Sequence, residues 1–210
     1  MAIEPYNAIG LIPVVRGITK RADIQANLDH IASICKPAHW LAGIDYPIKL
    51  ITIPEGALQG FTDEIYDLDH EHYADTCAID IPGPETEFLG QVARQWNVYL
   101  VAQAKVRHPA FDKRYFNAGF VIAPNGQVIM VSYKHSPLWP VEHSLCPHDV
   151  WDEWVRLYGQ QLEAFFPVAD TPIGRIGIMM ANDGSYPENA RALAMNGAEI
   201  IYRGIGEHQI

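Results

Sequence analysis

The chain has 210 residues, 49% hydrophobic and 19% charged, a balance suited to one well-packed globular domain over residues 1–210. Its formal net charge of -10 argues against general nucleic-acid binding, because neutralising phosphates takes clustered Lys and Arg. Cys35, Cys77 and Cys146 form neither a disulfide framework nor a zinc pattern, no apolar run approaches membrane-spanning length, and the first residues lack a signal peptide's basic start, so a soluble cytoplasmic protein is expected.

Strand-like and helix-like segments alternate from end to end. Residues 8–15 read as a buried strand. Over 23–35, Ile24, Leu28, Ile31 and Cys35 recur at helical spacing, with Asp23 placed to cap. A second buried strand, 48–53, ends at Pro54-Glu55. Residues 84–96 are amphipathic: Phe88, Leu89, Val92 and Trp96 form one face, and Pro84 and Glu85 suit the first turn. Strand 98–104 follows. Strands 116–123 and 127–133 then flank Pro124-Asn125-Gly126, a hairpin signal because Asn-Gly readily takes positive φ at both turn positions. Residues 149–166 form a Trp-rich helical candidate. The chain closes with strand 176–181, a helix over 187–196 opened by Pro187, and strand 199–202. Parallel crossovers combined with one hairpin predict an α/β layered fold with a mixed sheet. A sheet finishing at the last strand would leave an edge exposed, which leads to the expectation of a missing C-terminal part.

Candidate chemistry gathers at strand ends, where open α/β folds bind ligands. Glu55 follows one buried strand and Lys134 another. Ala181 ends a third, within Gly177-Ile178-Met179-Met180-Ala181-Asn182-Asp183-Gly184-Ser185-Tyr186-Pro187-Glu188. That stretch reads as strand, sharp turn and helix, the pattern of a nucleophile elbow, yet alanine brings no nucleophilic atom. A glutamate base beside a lysine that stabilises an oxyanion is what acyl transfer from an amide requires. The same two residues could equally form an ordinary ion pair near a loop.

Four stretches in register bear on that choice. They are Pro54-Glu55-Gly56-Ala57-Leu58-Gln59-Gly60-Phe61, Ile81-Pro82-Gly83-Pro84-Glu85-Thr86, Tyr133-Lys134-His135-Ser136-Pro137-Leu138-Trp139-Pro140-Val141-Glu142, and Asp183-Gly184-Ser185-Tyr186-Pro187-Glu188 running into Asn196-Gly197-Ala198-Glu199. Together they resemble the nitrilase superfamily of carbon–nitrogen hydrolases, closest in look to its aliphatic amidase and formamidase branch. The resemblance implies a four-layer α-β-β-α sandwich, usually longer than this chain. It implies Glu55 as general base, Lys134 as the cation that steadies a tetrahedral intermediate, and Glu142 as a second glutamate that positions substrate. It places a cysteine nucleophile where Ala181 stands, and makes the Asn182 backbone N–H the partner of Lys134 in an oxyanion hole. It further implies a small amide as substrate and self-association into dimers or larger rings, with 149–166 and the helix after Pro187 as candidate surfaces. Two departures stand out: alanine replaces the nucleophile, and Gly56 stands where aliphatic amidases tend to carry tyrosine.

Several other residues carry a bland reading beside a functional one. Trp139, between Lys134 and Glu142, could line the acyl pocket, whereas Trp151 and Trp154 are expected to pack a helix or a subunit interface. Tyr186 is either structural or substrate-facing, and Asn182 and Asp183 could simply cap the following helix. His135, His143 and His148 fit no tight ligand spacing, so no metal and no cofactor is expected. Two functions follow from the whole pattern. One is a thiol-amidase site that binds a small amide but has lost its attacking atom. The other is a natural non-catalytic member serving as a small-molecule binding or assembly protein. A third possibility has Glu55 activating water directly on a substrate held by Lys134.

Overall fold

Strands that are apolar on both faces need cover on both sides, and this requirement dictates the architecture. The computed structural model describes residues 3–206. In chain order the elements are β1 (Asn7–Gly10), α1 (Ile24–Ala42), β2 (Ile48–Thr52), α2 (Thr62–Ile65), α3 (His70–Thr76), α4 (Pro84–Trp96), β3 (Tyr99–His108), β4 (Phe111–Ile122), β5 (Val128–Tyr133), α5 (Trp151–Tyr158), β6 (Val168–Ala169), β7 (Ile176–Met180), α6 (Pro187–Met195) and β8 (Ile200–Gly204). One sheet has the order β1-β2-β3-β4-β5, parallel across β1 to β3 and antiparallel from β3 to β5. A second sheet has the order β6-β7-β8, with β7 and β8 parallel.

Side-chain alternation along the strands sends residues to opposite layers. Ile51 and Ile53 join Leu28, Ile31 and Cys35 of α1 and Leu89, Val92 and Ala93 of α4 under the helices. Leu50, Val101 and Val121 point the other way and pack on Ile176, Ile178, Met180 and Tyr202 of the second sheet. The sheets approach so closely at Gly119 that a Cβ there would lie 2.6 Å from Ile178 Cγ2. On the outer face of β7, buried Leu193 of α6 sits where a Cβ on Gly177 would meet it at 3.0 Å. The layers therefore run helix, sheet, sheet, helix, the sandwich that the family resemblance implies, with two sheets where the strand pattern alone reads one mixed sheet.

The structure redraws several elements. β1 stops at Gly10 rather than at residue 15: Pro13 lacks an N–H for the ladder, and Ile12 and Val14 turn to solvent. Asp23 makes no side-chain cap, and α1 runs seven residues past Cys35 to Ala42, carrying Pro37 inside it. β3 and β4 are both longer than read, because the strands continue past Lys105 and Arg107 on β3 and through Asp112, Lys113 and Arg114 on β4, charged positions that break the apolar pattern. In the β4–β5 turn only Gly126 takes positive φ, at 82°, with Gly126 N–H on Ala123 O at 2.7 Å. The loop has three residues rather than two: Ala123 N–H reaches Gln127 O at 2.9 Å, Pro124 takes the first central position that suits its fixed φ, and Gly126 supplies the left-handed residue. The 149–166 helix is broken: α5 ends at Gly159, whose φ of 83° leaves the helix, and only a short 3-10 turn, Leu162–Ala164, follows. Neither Asn182 nor Asp183 caps α6, which begins after Tyr186 with Pro187 in its first turn; Asp183 instead accepts the Met180 N–H at the start of a 3-10 turn, Ala181–Ser185.

Candidate active site

Three strand ends of the two facing sheets converge on one cavity of about 260 Å³. Glu55 follows β2, Lys134 follows β5 and Ala181 follows β7. All three line the cavity with Glu142, Phe61, Leu138 and Arg203. Lys134 is buried, and its Nζ donates to Glu55 Oε1 at 3.0 Å and to Glu142 Oε1. Glu142 comes from the irregular segment after β5, and its second oxygen accepts the Leu138 backbone N–H. One carboxylate thus ties the lysine to the loop that walls the cavity.

Polar residues planted in apolar strands hold Glu55 in place. Asn117 of β4 donates from Nδ2 to Glu55 Oε1 at 2.8 Å and accepts at Oδ1 from Gln103 Nε2 at 2.6 Å. Gln103 of β3 accepts the Gly56 N–H at 2.8 Å. The second Glu55 oxygen faces the Gly206 N–H at 3.4 Å. Gly56 has a φ of 78°, and a Cβ there would lie 2.5 Å from the Phe61 ring. The residue after Glu55 is thereby confined to glycine in this structure.

The third corner is a strained turn. Ala181 has a φ of 38°, in the left-handed region that a non-glycine residue enters at a cost. Its carbonyl oxygen accepts from Arg203 Nη2 at 3.1 Å and Nε at 3.3 Å. Asp183 braces the turn from beneath: one oxygen accepts the His135 and Ser136 N–H groups at 3.0 and 2.8 Å, and the other accepts the Met180 N–H at 3.1 Å. Gly184 leaves room for the Arg203 guanidinium, since a Cβ there would lie 2.1 Å from its Nε. Residue 181 is thus fixed in the cavity wall beside Glu55 and Lys134, the place from which a side chain could attack a bound carbonyl carbon.

Residues 11–209 match the carbon-nitrogen hydrolase family. The chain belongs to that family. It is 30% identical over 194 residues to a formamidase of Bacillus thuringiensis (strain Al Hakam), covering 91% of this chain and 50% of the relative. The chain therefore spans about half the length of the curated relatives it matches. Among solved structures, Saccharomyces cerevisiae Nit3, a member of branch 10 of the nitrilase superfamily, superposes with a TM-score of 0.66 at 19% identity, over 95% of this chain and 65% of its own. A cysteine-to-alanine mutant of the amidase from Nesterenkonia sp. AN1, in complex with butyramide, superposes with a TM-score of 0.61 at 19% identity, over 91% of this chain and 63% of its own. These likenesses establish the nitrilase fold for this carbon–nitrogen hydrolase family member.

Electrostatics follow from burial and pairing. Burial pushes the Lys134 ammonium toward losing its proton, but the Glu55 and Glu142 carboxylates outweigh it and hold the group above the usual lysine range. Burial raises Asp183 above the ordinary carboxylate range, against the backbone N–H groups of Met180, Ser136 and His135 that favour its charge. His135 is pushed down to about 4 by burial; its Nε2 bonds Phe165 O at 2.6 Å. An ammonium fixed between two carboxylates, one of them anchored by an amide side chain, can polarise a carbonyl and exchange protons with a leaving group.

Not every sequence candidate reaches the cavity. Asn182 lines it, with Nδ2 on Ser136 O at 2.9 Å. Trp139 is 83% exposed and Tyr186 half exposed, and neither is among the lining residues. Cys146 is buried and raised to about 11, first by burial, a packing thiol rather than a reactive one. His143 faces Leu68 and Asp67, away from His135. Among the described residues no group of three or more His, Cys, Asp or Glu is placed to hold a metal ion, and no helix is long and apolar enough to cross a membrane. A larger open groove of about 580 Å³ lies between the start of α4 and β5, but Glu87 is its one ionisable lining residue, so the chemistry is not there. Sequence reasoning missed Asn117, Gln103, Arg203 and Glu64, the last of which lines the cavity while accepting from Lys105 Nζ at 2.6 Å. The signal for the first two was present: each interrupts an otherwise apolar strand.

Proposed function

We propose that the cavity binds a small aliphatic amide, with its carbonyl oxygen toward Lys134 and its carbonyl carbon against residue 181, and that this chain holds the amide without hydrolysing it. The reading is carried by one observation: Glu55, Lys134 and Glu142 converge on a cavity whose wall presents a methyl group where the family resemblance places a thiol. In the armed form, a thiolate at position 181 attacks the amide carbon. The oxyanion is stabilised by the Lys134 ammonium and the Asn182 N–H, ammonia leaves with a proton from Glu55, and water then cleaves the thioester to acid and thiol. With Ala181 the first bond cannot form, while the groups that bind the carbonyl are retained. Formamidase relatives and the butyramide complex of the Nesterenkonia mutant favour short acyl chains, and the cavity volume suits them.

Calorimetric titration of the chain with formamide, acetamide and butyramide tests this reading. Binding is expected for at least one, and it is lost in Lys134→Met. A folded chain that binds none of them overturns it. Self-association through α5 and α6, whose Trp151, Leu157, Tyr158 and Met195 are exposed, belongs to the same reading, and light scattering that finds a monomer removes it. So does a cytoplasmic setting, where Cys35, Cys77 and Cys146 stay reduced; cell fractionation that finds the protein elsewhere counts against it.

A further inference from the structure

The segment that carries Glu142 is gripped from behind by a histidine outside the cavity. The backbone oxygen of His143, next to Glu142, lies 2.9 Å from His70 Nδ1. The other nitrogen of His70, Nε2, receives the Tyr115 backbone N–H at 3.2 Å, and the His70 ring stacks on Tyr115 with centroids 4.3 Å apart. Leu145 N–H donates to Tyr115 O at 3.0 Å, closing the same unit. His70 thus joins α3, β4 and the Glu142 segment. Bond directions dictate its form. Nδ1 faces a carbonyl and must carry the proton; Nε2 faces an N–H and must not. The neutral Nδ1–H tautomer alone satisfies both. A protonated ring would aim an N–H at the Tyr115 N–H and forfeit that bond.

We infer that His70, as this neutral tautomer, is a positioning residue for Glu142: it fixes residues 142–145 and so holds the carboxylate between Lys134 and the Leu138 N–H. The functional meaning of the clamp rests on the amide-site reading; the clamp itself does not. The surroundings favour the neutral ring. Burial holds its pKa below the usual histidine range, with Arg114 of β4 and His143 acting in the same sense and Asp69 of α3 and the His143 carbonyl opposing. Glu71 of α3 and Lys113 of β4 pair with each other at 3.3 Å, and Asp67 pairs with the His143 ring at 3.2 Å.

The test follows amide hydrogen exchange at Tyr115 and in residues 136–145, with butyramide affinity, from about pH 8 down to about pH 4, a range that extends below the ordinary histidine value. Three chains are compared: the native one, His70→Asn, which keeps a donor for His143 O but cannot titrate, and His70→Phe, which keeps the stack without either bond. In the native chain, protection of the Tyr115 amide falls about tenfold as pH drops, the worth of the one hydrogen bond that the protonated ring forfeits. The 136–145 segment, still held through His143 O, loses less, and affinity falls only as far as the segment loosens. His70→Asn keeps most of the protection and flattens the profile, whereas His70→Phe loses about tenfold at every pH. Unchanged protection in His70→Phe, or a native pH profile that persists in His70→Asn, overturns the inference. Should His70→Phe fail to fold, the native and His70→Asn profiles decide it. A native chain that binds no butyramide at any pH removes the amide reading alone, because the exchange arm still judges the clamp.

Discussion

Two buried lysines share the same charge arithmetic and differ in what surrounds them. Lys105 of β3 donates to Asp63 at 2.7 Å and Glu64 at 2.6 Å; Lys134 after β5 sits between Glu55 and Glu142. Both are held protonated above the usual range by their carboxylates against burial. Around Lys105 the ion itself is walled off: it does not line the cavity, and fully buried Asp63 also accepts the Tyr115 hydroxyl at 2.8 Å. Tyr73 and Ala74 of α3 pack alongside, and only Glu64 reaches the cavity wall. Around Lys134 the cluster opens on a cavity with residue 181 in its wall. A buried ion triad is therefore no mark of a site. The space beside it is, together with a strained turn that aims one side chain into that space.

The largest effect expected from this contrast is on stability. Lys105→Met leaves Asp63 fully buried, away from the cavity and without a cation, and costs about 3–5 kcal/mol in urea unfolding. Lys134→Met costs about 1–3 kcal/mol, because water in the cavity can reach the carboxylates it strands, but it abolishes amide binding. Equal costs for the two would erase the distinction. Acid attacks the cavity side next. His135, adjacent to Lys134, has a folded pKa of about 4 against an ordinary 6.5, so the unfolded chain binds its proton first as pH falls. Its stabilisation is complete above 6.5 and drains away as pH falls toward 4, on the order of 3 kcal/mol in all. His135→Gln removes that part of the slope, and an unchanged pH profile of stability counts against the assignment. The smallest contrast pairs one hydrogen-bonding residue from each cluster. Asn117→Ala, on the Glu55 side, costs about 1–3 kcal/mol and weakens amide binding. Tyr115→Phe, on the Asp63 side, costs about 1 kcal/mol and leaves binding intact; calorimetry on both variants checks the pair.

What the sequence makes legible follows from how local each signal is. Pro84 in the first turn and Asn97 in the left-handed conformation bound α4, and both act within a turn of the helix, so its limits are read correctly. Glu55, Lys134 and Ala181 each follow an apolar run, so their place at strand ends that meet in one cavity is readable too. Gly159 is equally local, but the tryptophans around it mask its effect on α5. The rest is non-local. Asn117 and Gln103 matter because β3 and β4 lie side by side, and Arg203 matters because β8 returns beside β7. Lys105 looks like the end of a strand until Asp63 and Glu64, about forty residues away, are folded onto it. Trp139 shows the opposite failure: its position between two site residues says nothing of its direction, and it faces solvent.

The most direct measurement is ammonia release from short amides by Ala181→Cys, with Ala181→Cys/Glu55→Gln beside it. Turnover on the order of a millionfold above the native chain, removed by Glu55→Gln, is the expected result if only the attacking atom is absent. A folded Ala181→Cys protein that binds butyramide and releases no ammonia from any amide would contradict the account, because the cavity would then lack more than its nucleophile.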